Sequence, residues 1–124
     1  MNGRGRLKYA IGVCLASAML ASAMLVSACD ETKAIHDRAT AFEAEGKRSE
    51  AADQFDLVCE KAPDSERCPS SRTRAAELRL EAAKSLIDQE KYEQAKALLD
   101  RVIASGVPEP TKNAKEPRAK LEPA

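Results

Sequence analysis

Apolar residues recur along this chain at the spacing of one helix face, first between residues 32 and 46. This stretch predicts a helix that begins near Thr32, whose hydroxyl can cap it, and that ends at Gly46. Its buried face would consist of Ile35, Ala39 and Phe42. No stretch of the chain alternates between apolar and polar residues as a half-buried strand does. The pattern therefore predicts an all-α fold.

Three more stretches also carry apolar residues at the spacing of one helix face. Their predicted ranges are about 49–60, 71–89 and 91–105. Their apolar faces consist of Ala51, Phe55 and Val58 in the second helix, Ala75, Leu78, Ala82, Ala83 and Leu86 in the third, and Tyr92, Ala95, Leu98, Leu99, Val102 and Ile103 in the fourth. Because the turns between them are short, the four helices predict two antiparallel hairpins.

The two predicted hairpins share one spacing of small and apolar residues. The shared positions are Ala39, Phe42, Ala51, Phe55, Val58 and Pro63 in the first hairpin, and Ala83, Leu86, Ala95, Leu99, Val102 and Val107 in the second. The pattern resembles the tetratricopeptide repeat, a helix-turn-helix unit of 34 residues. It departs from that family in two ways. The hairpins are 44 residues apart, and Arg38 and Arg79 stand where the family usually carries large apolar residues.

The resemblance implies a partner-binding groove lined by the first helix of each hairpin. The positions turned away from the packing face are Lys33, His36, Thr40 and Glu43 in the first helix, and Glu77, Leu80, Lys84 and Ile87 in the third. This mixed, partly apolar set favours a protein or peptide as the ligand. The asparagine-based clamp by which some members of the family grip a C-terminal carboxylate is not expected, because these helices contain no asparagine.

The N-terminal segment has the charge and hydropathy profile of a secretory signal peptide. Arg4, Arg6 and Lys8 form a basic start, and residues 9–26 carry no charge. A membrane-spanning helix is the alternative, since the uncharged run approaches the length that crosses a bilayer. Its many alanines and serines weaken that alternative.

The run Leu25-Val26-Ser27-Ala28-Cys29, which closes this segment, resembles the lipobox of bacterial lipoproteins. The resemblance implies that the Cys29 thiol receives a diacylglyceryl group, that residues 1–28 are cleaved, and that the new N-terminus is acylated. Two or three acyl chains anchor a protein stably in a membrane. Asp30 resembles the signal that keeps such proteins in the inner membrane of enteric bacteria. A plain signal peptide and an uncleaved anchor are the alternatives.

Four cysteines are present, and two of them are not expected to be available for a disulfide. Cys14 would leave with the leader and Cys29 would be acylated, so Cys59 and Cys68 remain. A leftover pair in an oxidising compartment normally forms a bridge, and Pro63 lies between the two thiols in a segment that can reverse direction. We expect a structural disulfide. A zinc site and a redox dithiol are the alternatives. Zinc normally takes four ligands, and His36 is far off in sequence. A redox pair usually has two residues between its thiols and not eight.

Removal of residues 1–28 leaves 17 basic and 20 acidic side chains, a net charge of −3. This balance favours neither nucleic acid nor charge-driven binding to anionic lipid. Residues 107–124 contain four prolines, which predicts a disordered tail, with a proline-rich docking segment as the alternative. The predicted organisation is a signal peptide at 1–28, a lipidated N-terminus and short linker at 29–31, a helical domain at 32–106 and a tail at 107–124.

The sequence contains no convergent catalytic constellation. His36 is the single histidine, and neither a glycine-rich phosphate loop nor a His/Cys cluster at metal spacing occurs. We therefore expect a non-enzymatic protein without a cofactor or metal other than the lipid on Cys29. The predicted role is an adaptor, anchored in the bacterial envelope and facing the periplasm or the exterior, that binds another envelope protein or peptide. A structural subunit that self-associates or completes a larger helical stack is the alternative.

Overall fold

The computed structural model describes the backbone of residues 20–123 and the side chains of residues 31–123. Within this part of the chain five helices follow one another and no strand occurs, which confirms the all-α expectation. The helices are α1 (Leu20–Ala44), α2 (Arg48–Lys61), α3 (Arg67–Asp88), α4 (Tyr92–Ser105) and α5 (Pro108–Lys120). The basic start of the predicted leader, Cys14 and the side chain of Cys29 lie outside the described residues.

Two helices begin earlier than the sequence pattern predicts. α1 is already helical at Leu20, where the described residues begin, so residues 29–31, predicted as a short linker, lie within a helix. The preceding residues are rich in alanine, leucine and methionine, which form helices readily. α3 begins at Arg67 instead of near residue 71, because Pro69 falls in the first turn, where a missing N–H costs nothing.

α3 is the central helix of the fold. Each helix packs against the next along the chain, and α3 also contacts α5. One core cluster, between α1, α2 and α3, consists of Ala39, Ala51, Ala52, Phe55, Ala75 and Leu78. The other, between α3, α4 and α5, consists of Ala76, Leu80, Ala83, Leu99, Val102, Val107 and Ala114. α3 therefore buries residues on two sides, which is why it alone contributes to both clusters.

The α1–α2 turn and the α3–α4 turn have the same hydrogen bonds. The Lys47 N–H donates to the Phe42 carbonyl over 2.9 Å, and the Lys91 N–H donates to the Leu86 carbonyl over 2.8 Å. Both bonds close the six-residue ring of a Schellman motif, which satisfies carbonyl groups at the end of a helix. The two turns lie 44 residues apart, the separation of the two hairpins in the sequence pattern.

The prediction of a disordered tail is wrong, because residues 108–120 form α5. Pro108 and Pro110 lie in the first turn of this helix, where proline is tolerated because the N–H groups have no partner there anyway. Ala114 is fully buried against α3 and α4. Arg118 donates to Asp100 of α4 over 2.6 Å. Tertiary contacts therefore hold a segment whose composition alone favours disorder.

Candidate functional site

A disulfide fastens the corner between α2 and α3. The sulfur atoms of Cys59 and Cys68 lie 2.10 Å apart, which confirms the predicted bridge. The chain between them turns at residues 62–66, where the Ser65 N–H donates to the Ala62 carbonyl over 3.0 Å. Cys68 is 4% exposed and belongs to the buried part of α3. The bridge thus ties the end of one helix to the start of the next.

Cys29 lies within α1, close to the packed part of the domain. The described part of the helix extends nine residues ahead of it, to Leu20. Three residues after it, Thr32 is only 3% exposed, and Ile35 has the same exposure. Glu31 forms an ion pair with Lys61 at the end of α2, over 3.6 Å. Side-chain packing therefore begins almost immediately after the predicted acylation site.

The first three predicted binding residues of α1 make mostly local contacts. Lys33 forms an ion pair with Asp37 over 2.9 Å, and this hydrogen bond holds the pKa of Asp37 below its usual range. The Thr40 hydroxyl donates to the His36 carbonyl over 3.0 Å. The His36 ring stands edge-on to Phe55 at 5.6 Å between centroids. His36 thus faces α2, whereas Lys33 and Thr40 are exposed.

Arg74 of α3 joins two of the predicted binding residues. Its guanidinium pairs with Glu43 of α1 and, over 2.9 Å, with Glu77 one turn further along α3. The hydrogen bond to Glu43, together with the one to Glu77, raises the pKa of Arg74 above its usual value. Sequence reasoning placed both carboxylates but missed the arginine between them. The three side chains form a half-buried bridge between α1 and α3.

α5 covers part of the predicted groove on α3. Leu80 is 7% exposed and packs in the core, so it does not present an open side chain as predicted. Ile87 is also packed against this core, whereas Lys84 is exposed. A depression of about 220 Å³ remains between the two helices. It is lined by Glu77, Leu80, Glu81 and Lys84 from α3, and by Glu109, Pro110 and Asn113 from α5.

Arg79 is the most deeply buried ion-pairing side chain among the described residues. Its side chain is 6% exposed, and it pairs with Asp53 over 2.8 Å and with Asp56 over 2.6 Å. The two aspartates lie three residues apart on α2, so both face α3. Arg79 departs from the repeat pattern in the sequence, and its two partners on α2 account for its burial.

A second group of arginines surrounds this ion pair. Arg101 of α4 approaches Asp53 and Asp56 over 3.7 and 3.9 Å. Arg72 lies one turn from the start of α3 and contacts the Cys68 sulfur over 3.7 Å. Together with Ala76, Ala104 and Ser105 they line a depression of about 290 Å³. This network connects α2, α3 and α4 by charge, in addition to their apolar contacts.

The described residues contain no group of His, Cys, Asp and Glu side chains that could hold a metal ion. Among the helices described, none has both the length and the apolar character needed to cross a membrane. Comparison with known proteins finds no matching protein family, and no curated protein or solved structure that is significantly similar to the chain.

Proposed function

We propose that this protein is a lipid-anchored adaptor of the bacterial envelope, which holds a partner protein near the membrane. The observation that carries this proposal is the lipobox-like run ending in Cys29, placed directly before a helical domain in which Thr32 is the first buried residue among the described side chains. The proposal includes no catalytic role and no cofactor apart from the covalent lipid. Asp30 favours the inner membrane.

The domain is proposed to be a short tetratricopeptide-like stack. Hairpins α1–α2 and α3–α4 would be its two repeats, and α5 would close the end of the second. The matching hydrogen bonds of the two hairpin turns support this assignment. So do Ala39, Ala51, Ala83 and Ala95, which are all fully buried where helices approach each other. The capping helix supplies apolar contacts that two repeats alone would lack.

The partner is proposed to bind along α1, α3 and α5. Lys33, Thr40 and Lys84 are exposed on this side, and Arg74 holds the carboxylates of Glu43 and Glu77 in place. The depression between α3 and α5 contains three glutamates and one lysine. Charge complementarity at such a surface steers association and excludes wrong partners. A polar segment that carries Lys or Arg is therefore the expected ligand.

Self-association is a second candidate function, and one observation favours it. Tyr92 is the only large apolar side chain among the described residues that is strongly exposed, at 46%. It lies beside Leu121 and Pro123 in a depression of about 490 Å³. A contiguous exposed apolar patch, in contrast to a single exposed side chain, can mark a protein interface. Light scattering during size-exclusion chromatography tests this candidate, since a monomer at all concentrations would exclude it.

Photo-crosslinking in cells tests the adaptor role. A crosslinking amino acid at Lys84 or Asn113, which line the same depression, should capture the same partner. The same amino acid at Glu50, an exposed residue of α2, is the matched control. Capture from Glu50 but from neither of the other two positions would contradict the proposed surface. In parallel, the Cys29→Ser chain is expected to carry no acyl group by intact mass.

A further inference from the structure

The folded domain begins almost at the proposed anchor. Only Asp30 and Glu31 separate Cys29 from Thr32, which is 3% exposed. The side chain of Glu31 already contacts Lys61 of α2. No flexible tether is therefore present between the acylated residue and the packed helices.

This short connection limits how far the domain can stand from the bilayer. Three residues rise about 4.5 Å as a helix and span about 11 Å at most when extended. The headgroup layer on one side of a bilayer is about 5–7 Å thick. We propose that one end of the helical domain rests directly on the lipid headgroups. This inference depends on the acylation of Cys29 proposed above.

The structure identifies which end this is. We call it the anchor-side end: residues 29–32 of α1, the turn at residues 62–66 with its disulfide, and the junction at residues 106–107. The Glu31–Lys61 pair places the end of α2 beside the part of α1 that directly follows Cys29. The disulfide places the start of α3 there too. Arg72 near the start of α3 lines the same depression as Ser105 at the end of α4.

Charge does not explain contact with the membrane at this end. The charged residues near it include Lys61, Arg67 and Arg72 on the basic side, and Glu31, Glu60, Asp64, Glu66 and Glu109 on the acidic side. This balance provides no attraction to anionic lipid. The orientation would be imposed by the short connection to the anchor, and it would hold in membranes of any surface charge.

The opposite end of the domain would point away from the membrane. α3 has 22 residues, which corresponds to a length of about 33 Å. The turns at residues 45–47 and 89–91 would therefore stand well outside the headgroup layer. A partner would reach these turns and the sides of the bundle, whereas the disulfide corner would be covered by lipid headgroups.

Fluorescence quenching tests this orientation. Asp64→Cys and Asp88→Cys form a matched pair, because both are exposed aspartates at opposite ends of α3. Each full chain, purified with its lipid and with Cys59–Cys68 oxidised, is labelled at the new thiol and placed in phosphatidylcholine vesicles. Some of the lipids carry a spin label on the headgroup. Glu66→Cys and Lys91→Cys provide a second pair if either first variant misfolds.

The label at residue 64 should be quenched several times more strongly than the label at residue 88. A flexible Gly/Ser insert of about 20 residues between Asp30 and Glu31, with a mean span of about 25 Å, should abolish this difference. Equal quenching in the lipidated chain, or a difference that the insert does not change, overturns this inference alone. An intact mass that shows no lipid on Cys29 overturns both the inference and the proposed function.

Discussion

Glu90 has a left-handed backbone conformation, with φ of 62°, at the position in the α3–α4 turn that Gly46 occupies in the α1–α2 turn. The φ of Gly46 is 80°. The residue at this position of a Schellman motif is usually glycine, because a side chain makes the left-handed conformation unfavourable. The second hairpin therefore repeats the turn of the first with an unfavourable residue.

Glycine at position 90 should stabilise the protein. We expect Glu90→Gly to raise the free energy of unfolding by about 0.5–1 kcal/mol, because relief of the left-handed strain exceeds the added flexibility of the unfolded chain. Urea unfolding followed by circular dichroism measures this change. Glu90→Ala, which keeps the Cβ atom, is the matched control and should show no such gain.

The reverse substitution should destabilise the first turn. We expect Gly46→Ala to lower the free energy of unfolding by about 1 kcal/mol. No atom lies within 4 Å of the position where a Cβ would stand, so the cost arises from the backbone conformation and not from a clash. A neutral Gly46→Ala together with a neutral Glu90→Gly would show that the two turns do not carry this strain.

Loss of the two aspartates should destabilise the protein more than replacement of Arg79. Asp53→Ala with Asp56→Ala leaves a buried guanidinium without its close partners, and we expect a loss of about 3 kcal/mol. Arg79→Met keeps most of the apolar volume and leaves two carboxylates that remain accessible to water, so the loss should be smaller. Thermal unfolding of the two variants compares them. A larger loss for Arg79→Met would contradict the importance of guanidinium burial.

The disulfide should contribute measurably to stability. Closing a loop of this length in the unfolded chain corresponds to about 2.5–3 kcal/mol in the chain-entropy account. We expect Cys59→Ser with Cys68→Ser to lower the urea midpoint accordingly. The wild-type chain with added reductant should unfold at a similar midpoint. An unchanged midpoint in both cases would mean that contacts between α2 and α3 alone fix this corner.

The docking of α5 should be sensitive to a charge at the buried position 114. Ala114 is fully buried, so Ala114→Asp places a charge in the core and should cost about 3 kcal/mol or detach the helix. Lys115→Asp, at an exposed neighbouring position, is the matched control. Hydrogen exchange of the amides in residues 112–120 reports the helix directly. Fast exchange of these amides in the wild-type chain would contradict the docking of α5 and support a disordered tail.

Local patterns predicted the helices well where each helix buries a regular apolar face. The predicted ranges 49–60 and 91–105 agree with α2 and α4 to within one residue at each end. α5 was missed because its 13 residues include three prolines and few apolar side chains. Its order depends on contacts with distant residues such as Val102. A helix that depends on tertiary burial gives only a weak local signal.

The candidate site was less predictable than the fold. The sequence placed Glu43 and Glu77 on their helices, but a helical face drawn from one helix does not reveal which neighbour approaches it. Arg74 lies between these two carboxylates because α1 and α3 come together in space, 31 residues apart for Arg74 and Glu43. The burial of Arg79 likewise depends on carboxylates from α2. Such pairings follow from the packing of helices and not from local spacing.

Acylation of Cys29 is the step on which the proposed role depends. The full-length gene product is extracted from bacterial membranes with detergent, and its intact mass is measured without reduction. We predict a chain of residues 29–124 that carries a diacylglyceryl group and an N-linked acyl chain, with the Cys59–Cys68 bridge formed. A membrane-extracted chain that retains residues 1–28, or that starts at another residue with an unmodified Cys29, would contradict the account.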